Sequence, residues 1–168
     1  MGVKVLVQPV TRGNYRQLLE PLVGEGDFLV NVSVDVSSVA LIEFCRERGA
    51  LYLDTCIEPW AGAYVDPSLS PSQRSNYALR ESALALRDRY AGGPSAVLTH
   101  GANPGLVSHF VKQALLNIAH DTGADATVPS SRAGWADLAR RLDVKGIHIA
   151  ERDTQVAGVA KRVGEFVN

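Results

Sequence analysis

The stretch Asp27-Phe28-Leu29-Val30-Asn31-Val32-Ser33-Val34, followed after two residues by Ser37-Ser38, and Arg48-Gly49 followed by Ala50-Leu51-Tyr52-Leu53-Asp54-Thr55-Cys56, decides the fold. Its first part is an apolar, β-branched run of strand length, which reads as a buried strand. Ser37 or Ser38 supplies a helix start, and Gly49 stands where a helix running through Arg48 ends. Ala50–Cys56 then reads as a second buried strand. A strand, a helix of about three turns and another strand make a parallel βαβ unit, because parallel strands need a crossover of roughly that length.

The same alternation extends outward. Val3–Val7 reads as a short strand, with Thr11 capping a helix whose Tyr15, Leu18, Leu19 and Leu22 fall on one stripe; Gly24 and Gly26 end it. After Cys56 a Pro-, Gly- and Ser-rich loop spans 57–72. A helix follows with Leu79, Ala83, Leu86 and Tyr90 on one face, stopped by Gly92-Gly93-Pro94. Ser95–Thr99 reads as a strand. Gly101-Ala102-Asn103-Pro104-Gly105 opens a helix striped by Val107, Phe110, Val111, Ala114, Leu115 and Ile118, with Asn103 as N-cap and Pro104 in the first helical position. Trp135, Leu138, Ala139 and Leu142 mark a short helix, and Val144–Ala150 a last strand. The expected architecture is α/β: a doubly wound, mainly parallel sheet with helices on both faces. No internal repeat or long linker divides it, so 1–150 is expected to be one domain.

Composition narrows the function. The 168 residues contain 46% hydrophobic and 21% charged side chains, with a formal net charge of -1. Such a balance is globular and gives no basic surplus for nucleic acid. No apolar run reaches the length of a membrane span, and the N-terminus lacks a signal-peptide layout. Cys45 and Cys56 form no CxxC pair, so two free thiols in the reduced cytoplasm are expected.

Ligands of open α/β sheets bind beyond the carboxyl ends of the strands. Asp35, Glu58, Asn103 and Glu151 each follow an expected strand there, and three of the four are carboxylates. Several anions around one low-dielectric pocket call for protonation or a cation, and a small doubly charged amine would satisfy them. Trp60 could add a cation–π face worth roughly 0.5–2 kcal/mol. Simpler roles stand beside these. Asp35 serves equally to cap the Ser37 helix, and Glu58 to bind backbone at a proline turn. Glu151, within Glu-Arg-Asp, reads as well as a surface ion pair, and Trp60 as a wall residue. The four histidines have no metal-ligand spacing, and Ser33, Ser37 and Ser38 have no neighbouring base. A Gly-x-Gly-x-x-Gly phosphate loop is absent; the turn after the first expected strand reads Gln8-Pro9-Val10-Thr11-Arg12-Gly13-Asn14.

Four blocks, in order, resemble bacterial homospermidine synthases of the saccharopine dehydrogenase-like group. They are Ser33-Val34-Asp35-Val36-Ser37-Ser38, Asp54-Thr55-Cys56-Ile57-Glu58-Pro59-Trp60, Gly101–Ser108 and His148–Gln155, joined by Asn76–Glu81. The resemblance implies a partial Rossmann-like fold that holds NAD as a recycled hydride carrier. It implies transfer of an aminobutyl group between diamines, two putrescines giving homospermidine and ammonia. Asp35, Glu58 and Glu151 would then position or deprotonate amines, and Asn103 would sit beside the reacting carbon. Asn31, Ser33, Val34, Thr55, Asn103 and Pro104 would line the cofactor. Members of that family are several times longer and act as homodimers. Residues 1–150 would thus be an incomplete NAD-binding domain without its first βα unit, and 151–168 the start of a connection to a substrate and dimerisation domain. The chain alone is expected to be inactive, with an exposed sheet edge that favours aggregation. Two other functions remain open at this point: a saccharopine dehydrogenase-like oxidoreductase, for which Arg152 is the one candidate partner of an α-carboxylate, and a non-catalytic interaction domain.

Overall fold

The computed structural model describes residues 2–90, 92–152, 154, 158 and 163. The chain forms two compact units, residues 1–110 and 111–168. The first holds α1 (Tyr15–Leu19), β1 (Phe28–Asn31), α2 (Ser38–Arg48), β2 (Leu51–Asp54), α3 (Asn76–Arg89) and β3 (Ala96–Val97). The strands are parallel in the order β1-β2-β3, with Phe28 opposite Leu51, Asn31 opposite Asp54 and Tyr52 opposite Ala96.

Local chemistry sets the ends of α2. The Ser37 hydroxyl accepts from the Ala40 N–H at 3.3 Å, and Gly49 closes the helix in the left-handed region at φ 72°. A side chain there would be strained, which is why glycine suits that position. The pleat then sorts the strands. Leu29, Asn31, Tyr52, Asp54 and Ala96 turn toward the helices, and Phe44, Cys45 and Leu41 of α2 complete a core with Tyr52, Val36 and Ala50. Because the strands run in sequence order, α2 and α3 lie side by side over one face. On the opposite face Phe28, Val30, Leu51 and Val97 are 41–56% exposed.

In the second unit Leu115 and Ala119 of α4 (Leu106–Asp121) pack against Leu138 of α5 (Arg132–Arg141), with Trp135 and Val144 at the margin. The Ser131 hydroxyl caps α5 by accepting from Gly134 N–H at 3.1 Å. Among the described residues no helix is long and apolar enough to cross a membrane.

Three expected elements are corrected. Val3–Val7 and Val144–Ala150 are not strands: no described neighbour offers them a ladder, and Val3 and Val7 are 92% and 97% exposed. β-propensity without a pairing partner leaves N–H and C=O groups to water. Nor do Asn103 and Pro104 start α4, which begins at Leu106. Gly105 sits at φ 125°, outside helical space, so a helix cannot run through it.

Candidate active site

Three loops leave the carboxyl ends of β1, β2 and β3 side by side. The first, residues 32–37, carries Asp35 at φ 60°, an uncommon conformation for a non-glycine residue. The Asp35 C=O accepts from Ala61 N–H at 3.2 Å, which ties this loop to the second, residues 55–62.

Glu58 is fixed on that second loop. It lies half-buried between buried Ile57 and Pro59. Its C=O accepts from Ser38 N–H at 2.9 Å, and its N–H donates to the Ser38 hydroxyl at 3.0 Å. Ser38 is fully buried, so the first residue of α2 clamps the Glu58 backbone from both sides.

The two carboxylates share surroundings. The Tyr64 phenol is pushed up in pKa, first by partial burial and then by the charges of Glu58, Cys56 and Asp35. The Cys56 thiol is pushed up likewise, by burial and then by Glu58. Both groups stay protonated near neutrality, so Tyr64 is available as a neutral hydrogen-bonding phenol beside the acids; its hydroxyl also donates to Asn76 Oδ1 at 3.1 Å. Neither residue stood out in the sequence, Tyr64 because a loop tyrosine carries no periodicity. Trp60, the expected aromatic partner for a cation, instead turns its ring against Tyr15 at 5.3 Å and joins the core.

The third loop is a tight turn. Gly101 N–H donates to the Pro104 C=O at 2.9 Å and Leu106 N–H to the Gly101 C=O at 2.8 Å, across a cis Asn103–Pro104 peptide. Asn103 and Pro104 are exposed at its tip. A Cβ on Gly101 would come within 2.8 Å of the Thr55 C=O, so glycine lets the Asn103 turn press onto the end of β2. A cleft of about 580 Å³ beside the turn is lined by Ile57, Thr99, His100, Pro104, Ser108 and His109 among others.

Behind the loops lies Asp54, which the sequence reading passed over. It is 0% exposed. Its carboxylate accepts from the Thr99 N–H at 2.5 Å and the Tyr52 hydroxyl at 3.0 Å. Its position two residues after Tyr52, on the inward parity of β2, was the available signal. Asn31 is buried too, donating to the Tyr52 hydroxyl at 3.2 Å and accepting from the Ser33 N–H and hydroxyl. Ser33 and Val34 are exposed, and Thr55 is half-buried. Glu151 and Arg152 are exposed residues of the second unit. Of the segment resembling His148–Gln155, Asp153 and Gln155 lie outside the described residues. Among the described residues no three His, Cys, Asp or Glu side chains converge to hold a metal.

Known proteins agree with this geometry. The chain is 56% identical over 170 residues to a homospermidine synthase of Blastochloris viridis, and 47% identical over 172 residues to one of Mesorhizobium japonicum. Each alignment takes in 99% of this chain, which spans 36% of the length of either relative. The fold superposes with a TM-score of 0.73 on the crystal structure of the homospermidine synthase from Legionella pneumophila in complex with NAD. The identity is 45%, covering 94% of this chain and 32% of that one. Residues 1–97 match the sequence model of the saccharopine dehydrogenase NADP binding domain. That match takes in more than half of the chain and the whole parallel sheet, and the chain belongs to the saccharopine dehydrogenase NADP-binding domain family.

Proposed function

We infer that this chain supplies the nicotinamide and diamine end of a homospermidine synthase active site. The observation that carries the reading is the meeting of Asp35 and Glu58 around Tyr64, beyond the ends of adjacent parallel strands. It is supported by identity to homospermidine synthases over 99% of the chain.

The residues fit one end of NAD. Val32 and Val34, 73% and 74% exposed beside Ser33, offer an apolar surface suited to a flat ring. Thr55 and Pro104 continue it, and Asn103 stands at the tip of the neighbouring turn. Asn31 shapes that surface from behind through its bonds to Ser33. The phosphate cradle Gly-x-Gly-x-x-Gly is not among these 168 residues. When bound, NAD supplies removal and return of a hydride at the carbon bearing the reacting amine, with no net redox change. Asp35 and Glu58 hold the distal ammonium of putrescine, since a paired cation relieves two neighbouring anions. The reacting nitrogen must be neutral, and a carboxylate of the site accepts its proton. Glu151 keeps the role of a further amine-positioning carboxylate. Two putrescines thereby give homospermidine and ammonia. Residues 1–150 contribute to the nucleotide-binding part and 151–168 lead toward substrate and dimer contacts, in a cytoplasmic homodimer whose two thiols stay reduced.

A chimera tests this. Residues 1–168 replace the matching region of the Blastochloris viridis protein, and homospermidine formed from putrescine and NAD is measured. The chimera is expected to make product, with Glu58→Gln or Asn103→Ala lowering turnover at least roughly a hundredfold; the 168-residue chain alone makes none. A chimera unaffected by both substitutions contradicts the assignment, and would favour a non-catalytic role for this site.

A further inference from the structure

Asp54 lies in the interior, away from the surface where Asp35, Glu58 and Asn103 converge, yet its bonds reach two of the loops that carry them. Following the donors fixes the direction of each bond. The Ser33 N–H and hydroxyl donate to Asn31 Oδ1 at 3.1 and 2.5 Å. Asn31 Nδ2 donates to the Tyr52 hydroxyl at 3.2 Å, and that hydroxyl donates to Asp54 Oδ2 at 3.0 Å. From the other side Thr99 N–H donates to Asp54 Oδ1 at 2.5 Å, and His100 N–H to the Asp54 C=O at 2.9 Å. Every bond of the chain points toward the one carboxylate. An acceptor-only group can end both arms at once, whereas a hydroxyl or amide would present a donor to one of them.

Backbone conformation gives these bonds a task. Thr99 adopts φ 58°, a left-handed conformation that a β-branched residue takes only when its surroundings impose it. The Asp54 carboxylate grips the N–H of that same residue. Two residues later Gly101 starts the turn that displays Asn103. At the other end of the relay, Ser33 stands two residues before Asp35, itself at φ 60°. Two loops with uncommon backbones, leaving different strands, are thus held through one buried side chain.

We propose that Asp54 is a positioning residue that sets the Asp35 loop and the Asn103 turn in register with each other, acting through Tyr52–Asn31 on one side and through Thr99 on the other. The functional part of this proposal rests on the diamine reading of the site; the mechanical part does not. Asp54 touches neither ligand. Its two arms can be cut separately: Tyr52→Phe removes only the arm to Ser33, Asp54→Ala removes both, and Asp54→Asn retains an oxygen for Thr99 but gives the Tyr52 hydroxyl no acceptor.

Amide hydrogen exchange of the 168-residue chain, read residue by residue, tests the mechanics. Asp54→Ala is expected to speed exchange at Ser33 and Thr99 at least tenfold, and Tyr52→Phe at Ser33 alone, with Leu41–Cys45 unchanged in both. Where Asp54→Ala does not fold, Asp54→Asn is read instead, with Ser33 expected to speed up more than Thr99. Tyr52→Phe loosening both residues equally, or Asp54 variants loosening neither, overturns the proposal. Putrescine affinity of the NAD-loaded Blastochloris viridis chimera is the second readout. Asp54→Asn is expected to weaken putrescine about tenfold with NAD affinity held, and Asp54→Glu to fail to restore it, because the longer side chain cannot keep both distances. Equal loss of both ligands marks plain destabilisation and overturns the positioning role. A chimera that binds no putrescine, with the exchange pattern as expected, sinks the diamine reading and leaves the coupling of the two loops standing.

Discussion

Removing the Ser38 hydroxyl by Ser38→Ala should cost more than an ordinary helix-start substitution, and should register at Glu58, twenty residues away. Ser38 is 0% exposed, and its Oγ accepts the Glu58 N–H at 3.0 Å. Alanine leaves that amide without a partner in a half-buried position. An orphaned donor of this kind costs about 1–3 kcal/mol. The bond from Ser38 N–H to the Glu58 C=O survives the change, which keeps the cost near the middle of that range, about 2 kcal/mol. For a chain of this length each kcal/mol lowers Tm by roughly 2–4 °C, so a fall of about 4–8 °C is expected. Urea denaturation gives the free energy, and amide exchange at Glu58 gives the location. Ser37→Ala is the matched comparison. It removes the 3.3 Å cap on Ala40 N–H, costs about 1 kcal/mol, and leaves Glu58 exchange as it was. A Ser38→Ala protein within roughly 0.5 kcal/mol of the parent, with Glu58 still protected, refutes the clamp.

Other consequences are simpler to state. Gly105→Ala places a Cβ 2.5 Å from the Gly101 C=O at φ 125°, so the Asn103 turn should open, with loss of Gly101 and Leu106 amide protection and little change in α2. Leu138→Ala empties the centre of the second unit and should cost about 2–5 kcal/mol by urea denaturation. Burial pushes the Cys45 thiol up to about 11 from an ordinary value of 9.0. The unfolded chain therefore releases this proton first; the stabilisation is complete below pH 9 and is lost as pH rises toward 11, by up to about 3 kcal/mol. Cys45→Ala should flatten that alkaline decline, and an unchanged decline counts against it.

Legibility followed locality. The helix from Ser38 to Arg48 could be read almost to the residue, because its cap, apolar face and terminal Gly49 lie within a dozen positions. The strands around it were recognisable from apolar runs, although the ladder uses only Phe28–Asn31 and Leu51–Asp54 of the longer stretches. Val3–Val7 and Val144–Ala150 have the same composition and form no strand, since pairing depends on a distant neighbour. At the site, Asp35 and Glu58 were visible because charge after a buried strand is unusual. Asp54 was hidden by the same logic: it looks like the polar end of a strand, and only the inward parity it shares with Tyr52 marks it as interior. The Asn103-Pro104 pair carried a genuine helix-start signal, which the φ of Gly105 overrules.

The central claim is that Asp35 and Glu58 act together on one ammonium group. A double-substitution cycle on putrescine affinity in the NAD-loaded chimera, with Asp35→Asn, Glu58→Gln and both combined, measures that directly. Two acids holding one cation should be coupled by at least about 1 kcal/mol, the combined loss differing from the sum of the single losses by that much. Single losses that add to within roughly 0.3–0.5 kcal/mol would place the two carboxylates in separate tasks and contradict the account.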